Sequence, residues 1–401
     1  MKYFMLVPDG CGDWPIQSLG GKTPLEAADI KNINALAKSS EIGLVRTVPE
    51  GFEPGSEANV MLLGYGADAY LTGRAPLEAA AMGIEMSEAG VAFRVNLITV
   101  AGGGRYEDLI IKDHSAGEIG NEEAEILIEF IDRELGADGI RFYPGVSYRC
   151  LMVADVFSGD YKFTPPHDVL NQSAGAYLPQ GDGAERISEL IRRSHKLLED
   201  HPVNRERVKK GFDPANSIWI WGHGKKPTLA PFSDKYGIRG SVITAVNLVK
   251  GYGLCAGLKV VDVPGATGTL NTNYDGKAQS AIDEFESGAD FVFVHVEAPD
   301  ECSHGNDLDG KIKSLEFIDE KIFKPVVQHL ESSGQPYRVL VVTDHKTPIK
   351  TRTHCAEPVP FVLFDSENKL PEKSGNAFSE VSGQTGTFFE SGRALTDYFL
   401  R

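Results

Sequence analysis

Short apolar runs that stop at an acidic or imidazole side chain recur along the 401 residues. Residues 3–7 run into Asp9, residues 291–296 into Asp300, and residues 338–342 into Thr343-Asp344-His345. Near-continuous runs of this length, separated by helix-length segments, predict strands buried on both faces, as in a parallel sheet. Residues 217–221, 259–263 and 360–364 read the same way. Between the runs, Thr23-Pro24-Leu25-Glu26 offers a capping hydroxyl, a proline in the first turn and an acidic side chain, which predicts a helix start. Ile126, Leu127, Phe130 and Ile131 predict a helix over 121–135, and 184–199 repeats the pattern.

The middle of the chain differs. Residues 92–99 alternate in part, residues 147–153 form a further run, and Gly102-Gly103-Gly104 marks a turn, with no run ending in Asp-His. The expected fold class is therefore α/β, a mainly parallel sheet flanked by helices, with a smaller inserted α+β domain. Residues 1–90 and 203–401 are assigned to the outer domain and 91–202 to the insert. In open α/β sheets ligands bind beyond the carboxyl ends of the strands, where the polar residues above fall.

Composition narrows the function. The length suits two domains, and the 41% hydrophobic and 24% charged fractions are those of a globular protein. No run approaches the roughly 18 apolar residues of a membrane span, and the apolar start reaches Pro8-Asp9-Gly10 too soon for a signal peptide. Cys11, Cys150, Cys255, Cys302 and Cys355 are scattered and form no CxxC pair, which argues against a disulfide framework or structural zinc and for a cytoplasmic location. A formal net charge of -17 repels nucleic acid and anionic membranes. An anionic substrate would need metal ions or clustered arginines to reverse that field locally.

Asp300 and His304 share a face if their segment is helical. Asp344-His345 follows a strand directly, His354 lies shortly beyond, and Asp9 ends the first run. Carboxylates and imidazoles in this mixture suit Zn²⁺, Mn²⁺ or similar ions rather than calcium. Ser56, in Gly55-Ser56-Glu57-Ala58-Asn59, follows a turn and opens a helix, where backbone N–H groups favour an anion. A serine hydroxyl becomes a competent nucleophile when a divalent cation lowers its pKa.

These residues lie in collinear segments that resemble the cofactor-independent phosphoglycerate mutases of the archaeal type, within the alkaline phosphatase superfamily. The segments are Val7-Pro8-Asp9-Gly10 with Gly12-Asp13, Pro54-Gly55-Ser56-Glu57, and Thr72-Gly73-Arg74-Ala75-Pro76-Leu77-Glu78-Ala79. Further on come Pro264-Gly265-Ala266-Thr267-Gly268, then Val296-Glu297-Ala298-Pro299-Asp300-Glu301-Cys302-Ser303-His304, and Thr343-Asp344-His345 with Thr353-His354. The resemblance implies an alkaline-phosphatase-like sheet and two divalent metal ions, Mn²⁺ first, with Zn²⁺, Mg²⁺ or Co²⁺ as alternatives. Asp300, His304 and His354 would hold one; Asp9, Ser56, Asp344 and His345 would hold the other. It implies interconversion of 3-phosphoglycerate and 2-phosphoglycerate, small phosphorylated three-carbon acids, through a phosphoserine at Ser56. Candidate substrate cations are Arg74, Arg94, Arg149 and Lys235, with Lys225 and Lys226 nearby in sequence. Two other readings stay open: a homoserine kinase-like phosphotransferase on the same scaffold, and a non-catalytic metal-binding protein that kept the fold. No Walker-type phosphate loop is present, which leans away from the kinase.

Each member alone has a plainer reading. An Asp-x3-His pair is more often a surface hydrogen bond, a serine after Pro-Gly a helix cap, and an arginine half of an ordinary ion pair. Coincidence in order and spacing favours the site. Outside it, His195, His201 and His329 read as solvated, and His114 and His167-Asp168 as turn chemistry.

Overall fold

In a computed structural model the chain is described over residues 1–70, 73–136, 139–157 and 160–401; Thr72 of the resembling segments lies outside them. It forms two compact units, Met1–Leu71 with Thr228–Arg401, and Thr72–Pro227. Among the described residues the strands are β1 (Lys2–Pro8), β2 (Glu41–Val45), β3 (Val91–Ala101), β4 (Ile110–Asp113), β5 (Ile140–Val146), β6 (Arg149–Ala154) and β7 (Ser217–Lys225). They continue with β8 (Gly240–Ile243), β9 (Lys259–Val261), β10 (Phe291–Val296), β11 (Tyr337–Val342), β12 (Val359–Asp365) and β13 (Thr387–Phe389).

The first unit holds a sheet ordered β13-β2-β12-β11-β1-β10-β8-β9. From β11 to β9 every pairing is parallel, so the expected mainly parallel sheet flanked by helices is present. Its central strands are mostly apolar because both faces are covered: Phe4, Met5, Leu6 and Val7 are all fully buried. Such a side chain contributes about 1.5–3 kcal/mol relative to exposure. The helix Tyr274–Glu286 brings Tyr274, Ala278, Ala281 and Phe285, at three- and four-residue spacing, into the same core as Val292 and Val294. Thr23 caps the short helix Pro24–Ala27 in a reciprocal capping box with Glu26, as its sequence predicts. Residues 360–364 depart from expectation: β12 runs antiparallel to both β11 and β2. A central strand is buried on both faces whichever way it points, so its composition does not reveal direction.

The second unit has an antiparallel sheet built around β3, which pairs with β4, β6 and β7. Residues 217–221 belong here, in β7, and not to the parallel sheet of the outer domain. The unit also takes in the helix Ala75–Ala81, whose Ala75 and Ala79 pack with Ala92 and Leu151. It thereby extends beyond the expected 91–202 at both ends. On the helix Asn121–Leu135 the buried face is Ala124, Leu127, Ile128, Ile131 and Leu135, while Ile126 is exposed. His195 and His201 are not simply solvated: one reaches the Asn216 carbonyl, and the other caps the helix Pro202–Lys209. No helix among the described residues is long and apolar enough to cross a membrane.

One buried ion pair holds the loops beyond β1 and β11 together. Lys311, fully buried on the helix Leu308–Ile318, donates to Asp13 Oδ2 at 3.0 Å, to the Thr347 carbonyl at 2.9 Å and to the Gly12 carbonyl at 3.2 Å. Asp13 also accepts from the Ile349 amide at 3.0 Å. Removing one partner leaves the other charge buried and unpaired. Lys311→Ala is therefore expected to lower stability by about 3–5 kcal/mol, measured by urea unfolding; a loss below ~1 kcal/mol would show that the pair is dispensable.

Candidate active site

β11, β1 and β10 are adjacent and parallel, so their carboxyl ends open on one edge of the sheet. Asp9 follows β1, Asp344 and His345 follow β11, and Asp300 and His304 sit on the helix Ala298–His304 after β10. His354 arrives from the connection between β11 and β12. Asp300, His304 and His354 form one group able to hold a metal ion. Their nitrogens and carboxylate lie close: His304 Nε2 is 3.1 Å from Asp300 Oδ2 and 3.0 Å from His354 Nε2, and His354 Nε2 is 3.6 Å from Asp300 Oδ1. His304 Nδ1 donates to the Arg352 carbonyl at 2.9 Å and His354 Nδ1 to the Pro54 carbonyl at 3.1 Å. A carbonyl only accepts, so it is Nε2 that carries the titrating proton, and once that proton leaves its lone pair faces the group.

The second centre is deeper. Asp9, His345 and Asp344 are all buried, with His345 Nε2 3.4 Å from Asp9 Oδ1 and 3.7 Å from Asp344 Oδ2. Metal-capable groups form here as Asp9 with His295 and Asp344, and as Asp9 with Asp300 and His345. His295, on β10, is the residue that sequence reasoning missed. Its signal is an imidazole inside the otherwise apolar run Phe291-Val292-Phe293-Val294-His295-Val296. Gly10 shows how tightly the two centres abut: at φ +59°, a Cβ there would stand 2.4 Å from Asp300 Oδ1 and 2.6 Å from Thr347 Oγ1.

Electrostatics mark the cluster as short of positive charge. Burial, and then the charge of Asp344, pushes Asp9 well above the usual carboxylate range. Burial also acts upward on Asp300, but hydrogen bonds from His304 and His354 outweigh it and hold it low. Its hydrogen bond with Asp300 raises His304 to about 9, whereas burial lowers His345 and takes His295 to about 4. Asp9 Oδ1, His295 Nε2 and His345 Nε2 are buried without a hydrogen-bond partner among the described residues. Native proteins rarely leave such atoms orphaned. The orphaned Asp9 oxygen and His345 nitrogen, with the neighbouring buried carboxylates, are the donor set of borderline divalent cations, so the residues fit that cofactor.

Ser56 is half-buried in the turn before the helix Ala58–Leu62. That helix has only five residues, so the anion-favouring field expected from it is small. Side chains tether the segment instead. The Asn59 amide donates to the Ser56 carbonyl at 3.0 Å and to Asp344 Oδ2 at 2.7 Å. Pro54 is held by His354, as described, so both centres grip residues 54–59.

The basic candidates are dispersed. Lys235 donates to the Gly64 carbonyl and to Tyr236 Oη and lies 3.6 Å from Asp397, bracing the chain just past Ser56's helix. In the second unit, Arg94 is paired in bidentate fashion with Glu78 and stacked over Trp221, 5.2 Å from the ring centre. Arg149 lies over Tyr148 at 4.6 Å, and Arg74 is an exposed residue preceding the helix Ala75–Ala81. Asp113 accepts from Ser115 and Gly117 beside His114, which is the turn chemistry expected there.

Fold and cluster together define an α/β enzyme scaffold with a two-centre carboxylate–imidazole site at the ends of parallel strands. Residues 37–204 match the family described as 2,3-bisphosphoglycerate-independent phosphoglycerate mutase. The chain is 47% identical, over all of both chains, to a probable 2,3-bisphosphoglycerate-independent phosphoglycerate mutase from Geobacter sulfurreducens. It is 46% identical to that of Methanothrix thermoacetophila, covering 97% of this chain and 96% of the relative. Among solved structures it is similar to the cofactor-independent phosphoglycerate mutase of Thermoplasma acidophilum, with a TM-score of 0.70 and 26% identity over 100% of this chain and 99% of the other. The chain belongs to the 2,3-bisphosphoglycerate-independent phosphoglycerate mutase family.

With His304 held near 9, this ring is protonated at neutral pH in metal-free protein, and an incoming cation must expel that proton. Mn²⁺ affinity at this centre is therefore expected to rise with pH up to about 9, by up to about tenfold per unit for one displaced proton. Titration calorimetry in buffers of different ionisation enthalpy reads the released protons; uptake without proton release between pH 7 and 8 would contradict the assignment.

Proposed function

We propose that this enzyme interconverts 3-phosphoglycerate and 2-phosphoglycerate in the cytoplasm, with Ser56 as the group that takes and returns the phosphoryl. Asp300, His304 and His354 hold one divalent cation, and Asp9, Ser56, Asp344 and His345 the other, with Mn²⁺ the preferred ion. The observation that carries the reading is the double tether of residues 54–59, which ties the Ser56 backbone to a member of each centre. The printed names of the full-length relatives supply the substrate.

Bound cations would lower the pKa of the Ser56 hydroxyl and offset charge on the phosphoryl oxygens. The chain's own residues do the positioning. Both amide hydrogens of Asn59 are spent, one on the turn that presents Ser56 and one on Asp344, so nucleophile and carboxylate keep their separation. His304 and His354, each locked by a backbone carbonyl, present nitrogen without further reorganisation. Substrate carboxylate and phosphate need cationic forks, and Arg74, Arg94, Arg149 and Lys235 are assigned that role. Arg94 is the best prepared, because Glu78 and Trp221 hold its guanidinium plane in place. Glycerate must stay bound while phosphoserine exists, since water reaching it would turn isomerisation into hydrolysis.

Ser56→Ala is expected to cut turnover by about 10³-fold or more while the protein still binds Mn²⁺. Mass spectrometry of wild type quenched during turnover should find phosphate on Ser56, and near-normal activity in the variant would end the phosphoserine mechanism. Arg94→Ala and Arg149→Ala should raise KM by about tenfold or more and increase phosphate release relative to 2-phosphoglycerate. Unchanged KM and partitioning in both would remove them from the substrate site.

A further inference from the structure

His295 has no part in the seven-residue ligand set, yet it is fully buried against that set. Its Nε2 lies 3.1 Å from Asp9 Oδ2 and 4.0 Å from Asp344 Oδ2. Its other ring nitrogen, Nδ1, is 3.2 Å from the hydroxyl of Thr244, the residue that follows β8. Thr244 Oγ1 accepts a hydrogen bond from the Val246 amide at 3.1 Å. This hydroxyl is buried, and His295 Nδ1 is the one acceptor within its reach among the described residues. A buried O–H left without an acceptor is costly, so its proton goes to Nδ1. With Nδ1 occupied in this way, the single N–H of the neutral ring sits on Nε2 and faces Asp9.

We infer that His295 is a positioning residue for the deeper cation centre: its Nε2–H holds Asp9 through Oδ2 and leaves Oδ1 to the cation. The inference rests on the two-cation reading above and adds a function for a residue outside its ligands. Thr244, His295, Asp9 and Asp344 then form a relay across the ends of four consecutive strands, β8, β10, β1 and β11. Asp9 Oδ1 is the oxygen left without a hydrogen-bond partner, as a metal-directed atom should be before the ion enters. His295 Nε2 is also without an aligned partner in this structure. The 3.1 Å separation is within hydrogen-bond reach, so reorientation of the ring or the carboxylate is enough to make a charge-assisted bond. Backbone restraint supports the same geometry: fully buried Lys277 donates to the His295 carbonyl at 2.7 Å. It fixes the strand end from which the ring projects.

The rival role is direct ligation through Nε2, and side-chain chemistry separates the two. Glutamine carries an amide N–H at the end of its side chain and replaces a donor better than it replaces an imidazole ligand. Mn²⁺ binding, followed by electron paramagnetic resonance without substrate, should show two sites in wild type. His295→Leu is expected to weaken one of them by about 10–100-fold, and His295→Gln by no more than about threefold. Thr244→Val, which removes the hydroxyl that sets the tautomer, should fall between. A ¹⁵N–¹H spectrum of histidine-labelled protein, metal-free and Mg²⁺-loaded, should show His295 protonated on Nε2. Wild-type affinities in His295→Leu would overturn the inference. Equal losses in the Leu and Gln variants, or a proton on Nδ1, would make His295 a ligand and overturn it as well. Wild type that binds no Mn²⁺ would instead sink the two-cation reading, and the metal-free tautomer would still decide His295.

Discussion

Asp9, Asp300 and Asp344 are withdrawn from water at the ends of three neighbouring strands, and their mutual repulsion governs the surrounding structure. Three carboxylates at this separation cannot all be charged without compensation. In the protein alone the burden is divided unequally: Asp300 borrows hydrogen bonds from two imidazoles, while Asp9, with orphaned Oδ1, is pushed upward. A fold that concentrates acid in this way commits itself to positive charge from outside.

Much of the nearby architecture keeps that cluster in place. Gly10 is tightly packed between the centres, since any side chain there would displace Asp300 and Thr347. Thr347 itself donates to Asp300, and its ring-nitrogen contact to His345 at 3.2 Å links the two centres. Lys311 clamps the loops on either side from beneath. Thr347 thus places a neutral donor on Asp300, while Lys311 holds the flanking loops through Asp13, Gly12 and Thr347.

The same geometry explains how a chain with net charge -17 can serve anionic substrates. Long-range repulsion is screened within roughly 10 Å at ordinary ionic strength, whereas cations in a buried cluster act locally. Under the proposed function Arg94 would contribute in a different way. Its guanidinium is held by Glu78 and Trp221, so it can meet an anion with little loss of side-chain entropy.

Most of the site was legible before folding. Asp9, Asp300 and Asp344 each follow an apolar run, and in a parallel sheet such positions share an edge. Ser56, His304, His345 and His354 were readable through the resembling segments, and Asp300 with His304 through helical spacing. Strand direction was not legible for β12, because a strand buried on both faces has one composition in either orientation. Nor was the sheet to which β7 belongs, because that depends on pairing with β3 across more than a hundred residues. His295 was hidden for a related reason: inside a buried strand an imidazole looks like a tolerated polar residue until β1 lies beside it and supplies Asp9. Sequence by itself determined that Asp9, Asp300, Asp344 and His345 follow buried strands and so gather beyond one sheet edge. Only the tertiary structure decided their partners, because strand order and register bring Thr244, His295, Asp9 and Asp344 into one line.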